Sequence, residues 1–68
     1  MEHTSMLDYL KNRFDFKTYF EDEEYVFMER KGKKVDVYKP QCLLVINYNL
    51  VWVKTLKDID LVVKPLIQ

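Results

Sequence analysis

A chain of 68 residues with 49% hydrophobic and 32% charged side chains has the composition of one small globular domain, spanning 1–68 with a frayed start at 1–4. Its single cysteine, Cys42, excludes an internal disulfide and a zinc site of several cysteines, and its apolar runs are far shorter than the roughly 20 residues that cross a membrane. The net charge is zero, but it is unevenly distributed: residues 1–30 contain eight acids and four bases (−4), and residues 31–68 contain three acids and seven bases (+4). We therefore expect the two halves to attract each other, either within one fold or across a dimer.

The first ten residues, MEHTSMLDYL, contain neither a basic start nor an apolar stretch followed by small residues. We therefore expect no secretory signal and a cytoplasmic location, in agreement with the lone thiol. Alanine is absent and lysine outnumbers arginine nine to two, a bias typical of an AT-rich genome. A low-GC bacterium or one of its phages would fit, with this chain as an accessory or regulatory protein.

The first predicted element is a short helix from about Ser5 to Arg13. Apolar residues recur at spacings of one, three and four, as they do on one face of a helix: Met6, Leu7, Leu10 and Phe14. The hydroxyl of Thr4 or Ser5 could accept a hydrogen bond from a free backbone N–H at its start. A helix of about nine residues is not stable alone, so it must lie on something else.

A sheet is the predicted support for this helix. From Asp15 to Phe20 the pattern changes to a period of two, which indicates a strand or an extended lead-in to one. The four adjacent acids of residues 21–24 make a poor strand, so we predict a turn there.

The stretch VFMERKGKKVDVY, residues 26–38, predicts a β-hairpin with Lys31 and Gly32 as its two loop residues. Gly32 supplies the positive φ that tight hairpin turns require. The resulting register makes one face apolar, with Met28 opposite Val35 and Val26 opposite Val37. On the other face it places Tyr25 opposite Tyr38, Phe27 beside Asp36, Glu29 opposite Lys34, and Glu24 opposite Lys39. Pattern, turn and charge pairs agree, so the register is strongly specified.

A second hairpin is predicted after Pro40, with a strand over 41–48 and a tight turn at Tyr48 and Asn49. This register places Leu44 opposite Val53, Ile46 opposite Val51, and Val45 opposite Trp52. The nearly continuous apolar run predicts burial on both faces, or burial on one face and contact with a partner on the other.

The last part of the chain predicts a turn or a single helical turn over 55–58, followed by a short strand from Asp60 to Lys64 that ends at Pro65. The predicted fold is therefore α+β: a short N-terminal helix packed on a sheet of four to five mostly antiparallel strands, with a meander as the simplest arrangement.

The sequence contains few residues that could act as catalytic groups. One His, one Cys and one Ser are present, and His3 lies near the terminus while Cys42 begins an apolar strand, so a nucleophilic hydrolase is excluded. Asp58 and Asp60 could share a hard cation, but acids at such positions usually form turns. We expect no enzyme activity, no metal and no cofactor.

Protein contact is the function that the sequence favours. We expect an interaction module that self-associates, as a homodimer, or binds an unidentified protein partner. Its adhesive surface would be formed by those aromatic and apolar residues that the helix leaves uncovered, among Tyr25, Phe27, Tyr38, Val45 and Trp52. An exposed aromatic strip on a domain with a thin core favours a homodimer.

Single-stranded nucleic acid is the alternative partner. Four lysines lie on and beside the hairpin: Lys31, Lys33, Lys34 and Lys39. Aromatic residues flanked by bases are how sheets hold single strands. Acids on the same face and a net charge of zero oppose this alternative, because nucleic-acid-binding domains are usually basic.

Overall fold

The chain folds into two helices and five strands. In this computed structural model, which describes residues 1–68, the elements follow the order α1, β1 to β5, α2. The helices are α1 His3–Phe14 and α2 Leu56–Ile67, and the strands are β1 Lys17–Glu21, β2 Tyr25–Arg30, β3 Lys33–Tyr38, β4 Leu43–Ile46 and β5 Asn49–Trp52. A short 3-10 turn, Lys39–Gln41, links β3 to β4.

The strands form one open antiparallel meander in the order β1-β2-β3-β4-β5. Each strand pairs with its neighbour in sequence, which needs only short connections. The predicted α+β class, with a helix followed by an antiparallel sheet, is confirmed.

Helix α1 begins at His3, two residues before its predicted start. Its N-cap is Glu2, whose side chain makes no capping bond, so the predicted cap by Thr4 or Ser5 is wrong. The helix ends at Asp15, which adopts a left-handed φ of 61° and donates its backbone N–H to the last turn. Its buried face is the predicted one: Met6, Leu7, Leu10 and Phe14.

The predicted turn in the acidic run is present between β1 and β2. The carboxylate of Asp22 accepts hydrogen bonds from the backbone N–H groups of Glu24 (2.8 Å) and Tyr25 (2.7 Å). These two bonds hold the pKa of Asp22 below its ordinary value. The acids are therefore tolerated because one of them builds the turn.

The β2–β3 hairpin has the predicted register, from Tyr25 opposite Tyr38 to Glu29 opposite Lys34. Lys31 and Gly32 form the loop with φ values of 50° and 82°, both positive as a type I′ turn requires. Neither predicted charge pair is present, since Glu29 and Lys34 lie opposite each other but make no ion pair. Lys39 makes its ion pair with Glu21, at 2.6 Å, instead of with Glu24.

The β4–β5 register is not the predicted one. The loop consists of Asn47 and Tyr48, with φ values of 52° and 66°, and Ile46 pairs with Asn49. The prediction placed the turn one residue later, which shifts each cross-strand partner by two: Leu44 lies opposite Val51, Val45 opposite Leu50, and Leu43 opposite Trp52. A shift of two residues leaves every side chain on its predicted face.

Helix α2 replaces the strand that was predicted over Asp60 to Lys64. The hydroxyl of Thr55 accepts from the backbone N–H of Asp58, and the Asp58 carboxylate accepts from the N–H of Thr55, which completes a capping box. Ile59 and Val63, four residues apart, are fully buried on one helical face. Pro65 lies inside this helix, which continues to Ile67, so the proline does not end the element as predicted.

A single hydrophobic core lies between both helices and one face of the sheet, called the inner face below. Val26, Met28, Val35 and Val37 contribute from the central hairpin, and all are fully buried. The helices are also joined by a hydrogen bond of 2.7 Å from the Tyr9 hydroxyl to Asp60. No helix in the structure is long and apolar enough to cross a membrane.

Removing the Thr55 hydroxyl tests whether the capping box holds α2. We expect Thr55→Ala to lower the free energy of unfolding by about 1 kcal/mol, since the first-turn N–H loses its acceptor. Thermal unfolding followed by circular dichroism should show a Tm about 4–8 °C lower. Thr55→Ser keeps the hydroxyl and is the control. Equal losses in both variants would mean that the threonine methyl group, and not the cap, is responsible.

Candidate protein-interaction surface

The sheet face opposite the helices, called the outer face, has no covering element. All five residues of the predicted adhesive surface lie on it: Tyr25, Phe27, Tyr38, Val45 and Trp52. None belongs to the core cluster. The first four are half-buried by their neighbours in the sheet, and Trp52 is 66% exposed. The structure therefore brings the predicted residues together on one surface.

A β-bulge in β1 adds two more aromatic rings to the outer face. Thr18 pairs with Met28 and Phe20 with Phe27, so Tyr19 is the extra residue. The ring centroids of Tyr19 and Phe20 lie 6.1 and 5.1 Å from that of Phe27. A bulge lets consecutive side chains share a face, which regular alternation forbids.

The aromatic rings continue from β1 across β2 to β3. The Tyr25 ring lies 5.8 Å from Phe27 and 5.1 Å from Tyr38, in tilted arrangements typical of favourable ring pairs. Each ring is held by its neighbours, so their conformations are fixed before any partner binds. A surface ordered in this way loses little side-chain entropy on binding.

The other end of the outer face is apolar and more exposed. Leu50 on β5 lies opposite Val45 and is 65% exposed, close to the value for Trp52. Strand β5 forms a sheet edge that contains no charge, proline or bulge. Edge strands usually carry such features because they block pairing with other chains.

Between the β2–β3 and β4–β5 turns the outer face forms an open groove of about 440 Å³. Residues that line it include Tyr19, Phe27, Lys34, Asp36, Val45 and Tyr48. Tyr48 is fully exposed, although its φ of 66° is unfavourable for a tyrosine. A costly conformation that displays an aromatic ring is typical of a functional site.

Asp36 lies near the centre of the outer face, between Phe27 and Val45 on the neighbouring strands. It is half-buried, and it takes part in none of the side-chain hydrogen bonds and in neither ion pair of the fold. Burial raises its pKa, and the nearby Lys34 opposes this rise. Covering the outer face would therefore favour a partner that offers this carboxyl group a cation or a hydrogen bond.

The four lysines of the nucleic-acid alternative do not form one cluster. Lys39 is engaged by Glu21 and by the Asp22 carbonyl, each at 2.6 Å. Lys34 lies on the outer face with its Nζ 5.8 Å from the centroid of a tyrosine ring in β1. Lys31 and Lys33 are exposed at the hairpin tip and make no ion pair.

The two aspartates considered for a cation have structural partners. The carboxylate of Asp58 accepts from the backbone N–H groups of Lys54 and Thr55, and these bonds lower its pKa. Asp60 accepts from the Tyr9 hydroxyl. Cys42 is half-buried against the core, with its Sγ 3.8 Å from a backbone carbonyl oxygen.

The chain matches no family model, and searches of curated proteins and of solved structures gave no match either. The chemistry of the outer face is therefore the main indication of function.

Four residues of this surface were missed from the sequence: Tyr19, Phe20, Tyr48 and Leu50. The first two need the bulge, for which the sequence contains no signal beyond two adjacent aromatics. Leu50 lies on the face of Trp52 in the predicted register as well, so alternation along β5 was the signal that could have found it, and Tyr48 is a turn residue in both registers.

Replacing Tyr48 tests whether its strained position has a function. Because glycine adopts positive φ without strain, we expect Tyr48→Gly to raise the free energy of unfolding by about 0.5–1 kcal/mol. If the ring contributes to binding, the same variant should associate more weakly. Chemical denaturation measures the first effect and light scattering the second. Tyr48→Asn, which also tolerates positive φ, is the control, and unchanged association in both variants would exclude a role in binding.

Proposed function

We propose that this protein is a non-enzymatic interaction module that self-associates through its outer face. The observation that supports this best is the position of α2. Because α2 packs on the inner face beside α1, neither helix covers the aromatic face. The fold thus buries the inner side of its sheet in the core and leaves the outer side, on which Leu43 alone is buried, without a helix over it.

The composition of the outer face supports a protein partner. Tyrosine, tryptophan and phenylalanine are enriched at the centres of protein interfaces. Burying a large apolar side chain fully is worth about 1.5–3 kcal/mol, and Leu50 and Trp52 are each about two-thirds exposed. Contiguous exposed apolar surface of this kind is uncommon in monomers.

A second copy of the chain is the partner that fits this surface most simply. In a two-fold dimer the same patch serves both subunits, so every exposed ring meets a surface of equal apolar character. The domain has only 15 buried residues, and a shared interface would add to this small core.

Two leucines of equal exposure provide a matched test. Leu50 on the outer face and Leu61 on α2 are both 65% exposed. We expect Leu50→Ser to weaken self-association at least tenfold, because it removes apolar area from the interface. Leu61→Ser should leave it unchanged. The measurement is the molar mass by light scattering over a concentration series, with thermal unfolding to verify the fold.

A monomeric wild-type protein at all concentrations would refute self-association. A dimer weakened equally by both substitutions would instead move the interface away from the outer face.

Binding of single-stranded nucleic acid is the second candidate function. The observation that favours it is the row of half-exposed rings with the unpaired lysines Lys31 and Lys33 at the adjacent hairpin tip. Bases could stack on the rings while the lysines contact phosphates. Asp36 and Glu29 on the same face oppose it by repelling phosphates.

Salt dependence separates the two candidates. A complex with a mixed-sequence single-stranded oligonucleotide should weaken steeply between low and high salt, since counterions are released on binding. A dimer held by apolar surface should persist or tighten. Light scattering at low and at high salt, with and without the oligonucleotide, measures the mass of the dimer and of any complex with the oligonucleotide. A salt-stable mass near twice 8.3 kDa that ignores the oligonucleotide supports the first candidate.

A further inference from the structure

We propose that two copies pack with their outer faces together about a two-fold axis that crosses β3 at Val35, so that Lys34 of each copy pairs with the partner's Asp36. This inference rests on the proposed function, because it specifies the geometry of the same self-association. It assigns a role to the one charged pair near the centre of the aromatic face.

Strand β3 is the strand on which we place the contact between the two copies. It is the middle strand of five, with two strands on either side, so a contact made on it lies at the centre of the outer face. Lys34 and Asp36 are two residues apart on this strand, and their side chains project from the same face about 6.8 Å apart. The fully buried Val35 lies between them and points to the core.

A two-fold axis in the plane of the interface and perpendicular to β3 reverses the strand direction in the second copy. If it passes at Val35, it places position 34 of each copy over position 36 of the other. A lysine then meets an aspartate twice, which is the reciprocal pairing that a two-fold interface requires. An axis at Asp36 would instead bring two carboxylates together.

The unpaired carboxylate of Asp36 favours such a pairing. Its carboxylate is half-buried and unpaired in the single copy, and a covered outer face would remove its remaining water. A buried carboxylate is costly unless a cation pairs with it. Lys34 is the suitable cation, because it lies on the same strand as Asp36, whereas the other lysine on this face, Lys17, lies on the edge strand β1.

Lys34 is free to make this contact. Within its own copy it has no ion pair, and its Nζ lies 5.8 Å from the Tyr19 ring centroid, in a loose cation–π contact. The ammonium group can approach a carboxylate on a facing sheet while its aliphatic part stays on that ring. Two facing sheets lie about 10 Å apart, a distance that a lysine side chain can bridge to an aspartate.

Charge reversal tests this geometry. In Lys34→Glu both copies present acids at 34 and 36, and in Asp36→Lys both present bases, so each variant should dimerise at least tenfold more weakly than the wild type. An equimolar mixture places acids over bases at both contacts and should form a heterodimer. Light scattering of each variant and of the mixture, with one variant carrying a mass tag for native mass spectrometry, measures these outcomes.

Two further variants control the experiment. The double variant Lys34→Glu/Asp36→Lys exchanges both charges and should recover the wild-type dimer. Lys57→Glu makes the same charge change at an exposed lysine on α2, on the helix side of the sheet, so dimerisation should be unaffected. Circular dichroism of each variant verifies that it is folded.

The outcomes separate this inference from the proposed function. A wild-type dimer whose Leu50→Ser variant is weakened, but whose charge variants neither lose self-association nor form a heterodimer when mixed, overturns the crossing at β3 and keeps the interface on the outer face. A monomeric wild type overturns both. Weakened single variants together with a heterodimer and a recovered double variant establish the pairing.

Discussion

The packing of both helices against the valines of β2 and β3 is the interaction on which the rest of the structure depends. The two strands alternate strictly, so their inner side chains are buried and their outer ones are aromatic or charged. Once both helices occupy the inner face, no part of the chain remains to cover the other side. The uncovered surface is thus a direct result of where the core forms.

The central hairpin was predictable because several independent signals agreed. The alternation of Val26, Met28, Val35 and Val37, together with the turn at Gly32, specified the same register. The predicted adhesive residues came from this hairpin and its neighbours, and their face was correct even where the β4–β5 register was wrong. The face on which a strand residue lies is easier to predict than its cross-strand partner, since a register shift of two residues changes the partner but not the face.

Helix α2 was missed for a physical reason. Over a few residues a buried helix and a buried strand give the same short apolar run, and Pro65 was taken as a strand end. The decisive signal was Thr55 followed by Asp58, a helix N-terminus in which the side chains replace missing backbone partners. The bulge in β1 depends on tertiary contacts. The β4–β5 turn was placed one residue late because Asn47 and Asn49 both tolerate positive φ, so the local pattern allowed two positions.

The two edges of the sheet differ in how readily they can pair with another strand. Strand β1 is bulged and has a charge at each end, Lys17 and Glu21, which blocks the addition of another strand. Strand β5 is regular and uncharged, so its backbone groups stay open to pairing. A sheet with one open edge can join one other such edge and then has none left. Strand addition alone would therefore stop at two copies, because a pair joined through β5 would present only its two bulged β1 edges.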